Sequence, residues 1–255
     1  KKGFSYIDDF QGAESPYDMR TPNAWYTAST PQGNAIDFPS GNSKGLANRY
    51  SAARMSWYFV DQFTFFGGTP PNGITSAVLD DPYQRLILQK EVYPDKQLAQ
   101  TTASNLQSLD IVFNPKTRAA YNFNVDGMNA DGTLSNPKSN WGGIMRKIET
   151  NDFEAANIDY ISIWVMDPFI KNPSNNGDFI IQLGNMSEDI LPDGRKSFEH
   201  GLPKTATKEH VDTTEWGIVS KLSPIVNAFD NDENARSFQD IGLDGLNDDE
   251  ERTFF

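Results

Sequence analysis

Residues 141–201 read WGGIMRKIETNDFEAANIDYISIWVMDPFIKNPSNNGDFIIQLGNMSEDILPDGRKSFEHG, and the fold turns on how this stretch is read. Ile158 to Met166 is apolar on both faces of a pleat. Tyr160, Trp164 and Met166 point one way, and Ile161, Ile163 and Val165 the other. That pattern predicts a central strand covered on both sides. Asp167-Pro168 ends it, because proline has no N–H to give to a ladder. Beyond Pro173 to Gly177, Phe179, Ile181 and Leu183 alternate with Asp178, Ile180 and Gln182. A second strand with a wetter outer face follows. The short loop between the two predicts an antiparallel pair.

Working outward, Tyr6 to Gly12 predicts a short edge strand entering a turn, and residues 13–49 an irregular segment rich in Pro, Asn, Ser and Gly, pinned by Trp25 and Tyr26. A connection that long is unusual inside a compact domain and suits a segment that wraps a partner. Ala53 to Val60 is dense in aromatic residues and predicts a strand. So do Arg85 to Val92 and Leu109 to Asn114, the latter with Leu109, Ile111 and Phe113 inward. Asn124 to Asn136 carries two Asp-Gly pairs suited to hairpin or bulge turns. Trp216 to Val219 is the last expected strand. Past Pro224 the character changes: Asp232 to Gln239 has helical spacing, with Asn231 or Asp232 placed to cap it. The expected fold is mainly β, an antiparallel β-sandwich of jelly-roll type over residues 1–222 with long loops. A small acidic helix-loop-helix-like appendix follows over 223–255.

Composition agrees with many short elements. The 255 residues include 19 Gly and 15 Pro, and 12% are aromatic, so the core leans on large rings. There is no cysteine, which removes disulfides and thiol catalysis. No 18-residue apolar run is present, so no membrane helix is expected, although a barrel strand gives a weaker signal. Lys1-Lys2-Gly3 opens no signal-peptide core, which suits a mature or excised piece. A net charge of −13 argues against a nucleic-acid surface.

Four constellations bear on chemistry. The first is the loop from Asp240 to Glu251. Calcium takes six to eight oxygens, and a twelve-residue loop can supply them from fixed positions. Asp240 fits position 1, Asp244 position 5, Gly245 the sharp turn, the Leu246 carbonyl position 7, Asp248 position 9 and Glu251 the bidentate position 12. Gly242 at position 3 offers no side-chain oxygen. The competing reading is an acidic solvated turn. Residues 230–251 hold nine acids and one base, a density that repels itself unless a cation or basic partner screens it. The second is Asp8, Asp9, Asp159 and Asp167, carboxylates that could do acid-base work but read more simply as edge and turn residues. The third is His200 and His210, whose spacing matches no metal motif and no nucleophilic triad. The fourth is the tryptophans, Trp25, Trp57, Trp141, Trp164 and Trp216. They read as core residues before sugar-stacking ones.

Trp141-Gly-Gly-Ile-Met-Arg146, Ile148 to Glu154, Trp164-Val-Met-Asp-Pro-Phe169, Leu183 to Leu191, Asp193-Gly-Arg-Lys-Ser-Phe198, Asn227 to Asp232 and Gln239 to Gly245 resemble the SprA (Sov) family of gliding Bacteroidetes. Ile7 to Gly12 and Ala28-Ser-Thr-Pro31 match as well, with Gln11 where the family pattern has an acid. The resemblance implies the giant outer-membrane barrel that serves as translocon of the type IX secretion system and on which gliding motility depends. This chain is too short to be that barrel, so it would be a soluble, non-enzymatic domain capping or lining the pore. Implied partners are other parts of the barrel, a PorV-like shuttle subunit, a plug protein and secreted cargo. Implied localisation is the outer membrane or cell surface, on the extracellular side before the periplasmic. A carbohydrate-binding jelly-roll module with structural calcium is the alternative, and a glycoside-acting enzyme ranks last. If the acidic loop binds calcium, the chain gains melting temperature on calcium addition. Asp240→Ala then abolishes the gain, and no response in the unmutated chain removes the site.

Overall fold

In a computed structural model the described residues are 18–34, 36–61, 72–95, 97, 104–150, 152–156, 158, 160–192, 211–214, 217–220, 232–234, 249, 252 and 253. Among them, regular structure is mostly short β. The strands are β1 (Tyr26–Thr27), β2 (Ala53–Tyr58), β3 (Ile87–Leu88), β4 (Asn105–Leu106), β5 (Asp110–Arg118), β6 (Ile144–Met145), β7 (Val211–Thr214) and β8 (Gly217–Ser220). They pair as four two-stranded sheets: β1 with β6, β2 with β5, β3 with β4, and β7 with β8. The β3–β4 pair is antiparallel with Ile87 opposite Leu106. β7–β8 is an antiparallel hairpin with Val211 opposite Ser220 and Thr214 opposite Gly217. Two short helices stand beside them, α1 (Ser76–Asp80) and α2 (Gln89–Val92). Among the described residues no helix is long and apolar enough to cross a membrane.

Several expectations meet the structure directly. Ala53 to Val60 forms β2, ending at Tyr58. The irregular run before it holds three short 3-10 turns, at Pro22–Ala24, Pro39–Asn42 and Gly45–Arg49, with the Trp25 indole N–H tied to the Met19 carbonyl at 2.7 Å. Asn124 to Asn136 is turn-rich as expected. A bridge joins Met128 to Leu134, and Gly132 takes a φ of 80° that a glycine adopts freely. The strand expected at Trp216 to Val219 is β8, and its partner β7 lies in a stretch the sequence left without an element.

Others are corrected. Arg85 to Val92 is two residues of strand followed by a helical turn. The Glu91 carboxylate accepts the Leu88 backbone N–H at 2.8 Å and pairs with Arg85, which winds the chain instead of extending it. Leu109 to Asn114 is indeed strand, but β5 runs on to Arg118, and its Ile111 and Phe113 are more than 40% exposed instead of inward. Among the described residues β5 pairs with β2 alone, and these side chains stay partly open to solvent. Ile158 to Met166 is not a covered central strand. Its residues from Tyr160 are exposed and in no ladder, and Gly177 to Leu183 is likewise unpaired. The boundary expected at 222/223 lies outside the described residues.

The chain gathers into two compact units, one of Lys1–Tyr26, Ser56–Val112 and Arg146–Phe179, the other of Thr27–Met55, Phe113–Met145 and Ile180–Phe255. Among the described residues the second holds most of the buried side chains. Trp141 is 9% exposed and takes the Phe38 ring edge-on at 5.5 Å between centroids. Its backbone bridges to Ser51 and Ala53, with N to O distances of 3.0 and 2.7 Å. The glycines after it are there for room. A Cβ at Gly142 would meet the Phe113 ring at 2.8 Å, and one at Gly143 would press on Trp141 and Ala28. A smaller cluster surrounds buried Leu191, packed by Leu46, Tyr121, Phe123 and Ile190. Truncation of Trp141 to alanine is expected to cost about 3–5 kcal/mol, and Trp141→Phe clearly less, as read by denaturant unfolding. Equal losses for the two would show that the ring is not packed as described.

Candidate interaction surface

The elements around β3 and α2 set the geometry of the first unit's exposed apolar chain. α2 begins where Glu91 holds the Leu88 N–H. Its last turn closes with the Tyr93 N–H donating to the Gln89 carbonyl at 2.8 Å. That fixes the Tyr93 ring, which meets Trp164 edge-on, 5.7 Å between centroids and 79° between planes. The Arg85 guanidinium reaches both Glu91 oxygens and holds that carboxyl down at about 2, with help from the Leu88 N–H.

A second anchor follows the extended stretch. The Tyr83 hydroxyl donates to the Asp167 carbonyl at 2.7 Å. Lys171 places its ammonium 2.6 Å from the Asp81 carboxylate and 4.8 Å from the centre of the Tyr83 ring. Asp81 in turn accepts from the Tyr83 N–H and the Gln84 amide, and Lys171 above all holds its carboxyl below the usual range. Asp167 accepts the Phe169 N–H at 2.8 Å, so the chain turns at Asp167-Pro168 as the sequence required. Between these anchors Tyr160 to Met166 runs out over the surface. Tyr160 and Trp164 are each 72% exposed, and Ile161, Ile163, Val165 and Met166 are about half exposed.

The second unit carries a different feature, which sequence reasoning missed. Arg49 is 1% exposed. Its guanidinium carbon sits 5.2 Å from the Trp141 ring centre, and one terminal nitrogen donates to the Ala28 carbonyl at 2.8 Å. Among the described residues no carboxylate forms an ion pair with it. Burial pushes its pKa down to about 10. Neither its Nε nor the Trp141 indole N–H finds an acceptor among the described residues. The neighbouring Asn48 amide donates to the Gly41 carbonyl at 3.0 Å, and Thr30 donates to the Asn48 carbonyl. Asn122 does the same for Ala52 at 2.6 Å. Asn48 and Thr30 satisfy carbonyls of the 3-10 turns, and Asn122 adds a second donor to the Ala52 carbonyl, which also accepts the Ala119 N–H. The signal was present as a lone arginine amid small residues, Gly45 to Ala53, but such a pattern reads as a solvated turn.

The expected calcium ligands Asp240, Asp244, Leu246, Asp248 and Glu251 lie outside the described residues, as do Asp8, Asp9, Asp159, His200, His210 and Trp216. Near that region Asp232 accepts the Asn234 N–H at 3.0 Å, the bond expected of a cap. Among the described residues no three acids or histidines cluster to hold a metal. Of the tryptophans, Trp141 is core, Trp25 and Trp57 are half-buried with their N–H groups on the Met19 and Pro22 carbonyls, and Trp164 is on the surface. No family model and no curated protein matches the chain.

The Glu91 geometry has a pH signature. Its carboxyl titrates near 2 when folded against an ordinary 4.5, so its stabilisation is complete above about pH 4.5 and is lost as pH falls through 2. The group is 41% exposed, so screening keeps the effect under about 1 kcal/mol. Glu91→Gln should be less stable than the parent at pH 6 and indistinguishable from it near pH 2. A gap that persists at low pH would mean that the charge is not what matters.

Proposed function

We propose that this chain is a non-enzymatic domain of a giant outer-membrane protein-export translocon of the SprA kind, serving type IX secretion and gliding motility. The observation that carries the reading is the series of idiosyncratic motifs from Trp141 to Gly201, with its counterparts near both ends of the sequence. Two structural features support it. The Trp141-Gly142-Gly143 motif packs at the centre of the better buried unit, as a framework motif would. The apolar run through Trp164-Val165-Met166 lies uncovered at the surface, as an assembly motif would. In this reading the short strands are parts of a jelly-roll-like sandwich that caps or lines the pore on the cell-surface side. Its neighbours are barrel segments, a PorV-like shuttle subunit, a plug and passing cargo. The acidic loop from Asp240 to Glu251 binds structural calcium or a basic surface.

A second reading has one observation in its favour. Tyr160 and Trp164 lie four residues apart and present exposed rings, which is how a sugar-binding module offers stacking platforms. Fractionation of source cells with an antibody raised to this chain separates the two. A very large outer-membrane band is expected. A free band of the size of this chain would overturn the translocon reading and move the sugar-binding module ahead of it.

A further inference from the structure

Tyr160 to Met166 has two unmet demands on the same seven residues. Their side chains are exposed, and the apolar ones fall on both pleat faces. Among the described residues their backbone N–H and C=O groups make no hydrogen bond, neither within a strand nor to a loop. Different surfaces would meet these demands differently. Lipid covers apolar side chains but leaves backbone groups unpaired in hydrocarbon, which bilayers do not tolerate. A docked helix has spent its backbone groups on itself. An added β-strand meets both demands at once, pairing the backbone and packing alternate side chains.

Charge decides whose strand it is. Asp159 precedes the segment and Asp167 follows it, the latter exposed. Antiparallel pairing with a second copy centred on Ile163 sets Asp159 of each chain against Asp167 of the other. Parallel in-register pairing sets each aspartate against its like. Like charges directly opposite are destabilising, and each copy brings a net charge of −13. A strand with lysine or arginine at both ends converts each repulsion into an attraction. We propose that Tyr160–Met166 is a docking strand for an extended apolar segment that is not a second copy of this one and is flanked at both ends by basic residues. The segment is held open for it by Trp164 on Tyr93 at one point and by the Tyr83, Asp81 and Lys171 anchor just beyond its end. This inference stands on backbone and charge, and it survives if the translocon reading fails.

The test uses the whole chain and a capped synthetic peptide, Lys-Val-Thr-Val-Thr-Val-Thr-Val-Lys, with a twin ending in glutamates. Amide hydrogen exchange over residues 160–166 is expected to slow at least about tenfold with the lysine peptide. The glutamate twin is expected to bind about tenfold more weakly, and the gap to narrow with salt. Ile163→Pro removes the central amide from an exposed position and should abolish protection. The double reversal Asp159→Lys with Asp167→Lys should invert the peptide preference. Equal binding of the two peptides overturns the proposal, as does binding that Ile163→Pro leaves unchanged. The absence of protection at millimolar lysine peptide, or protection that appears with protein concentration alone, overturns it too.

Discussion

The arginine over Trp141 is the constraint on which the described interior of the second unit depends. A guanidinium taken out of water without a carboxylate is costly, and its lowered pKa records that cost. It stays because its surroundings offset it. The indole face attracts it, the Ala28 carbonyl accepts from it, and Phe38 packs edge-on with the same indole. Each of these comes from a different part of the chain, so one side chain ties the loop before β2 to the segment before β6. The polar network around it works the same way. Asn48 and Thr30 donate to carbonyls of the 3-10 turns before β2, and Asn122 to the carbonyl of Ala52 at its edge. In a fold of two-stranded sheets, side chains must do much of what a larger sheet does with its backbone.

The first unit rests on a different kind of support. Its described interior is small, with Leu86 and Gln89 its buried side chains. Short-range anchors take over: Glu91 starts α2, α2 fixes Tyr93, and Tyr93 takes the edge of Trp164. Such contacts are individually weak and exposed to solvent. They orient a surface without making a core.

What could be read in the sequence follows from which interactions are local. β2 was legible because Ala53 to Val60 is dense in aromatic residues, and Asn124 to Asn136 because its turn residues act within three or four positions. Arg85 to Val92 was misread because its outcome hangs on one carboxylate reaching back three residues, which apolar spacing does not report. Arg49 was invisible for the opposite reason: its partners, Ala28 and Trp141, are 21 and 92 positions away. The apolarity of 158–166 was read as a central strand covered on both faces, whereas its residues from Tyr160 are exposed and in no ladder. Pattern reports apolarity and not what covers it, so an exposed apolar run looks the same in sequence as a buried strand. The acidic loop at Asp240 to Glu251 and both histidines lie outside the described residues, and their reading rests on spacing alone.

The open backbone of Tyr160 to Met166 has a consequence for how long the molecule lasts. Proteases grip substrates as extended strands, and chaperones select short apolar stretches that carry no tertiary cover. A free copy of this chain displays both features on one segment. A copy whose segment is occupied displays neither. By the docking proposed above, turnover then falls on the fraction whose Tyr160–Met166 is unpaired, and the cellular level of the chain tracks the supply of the strand that pairs with it.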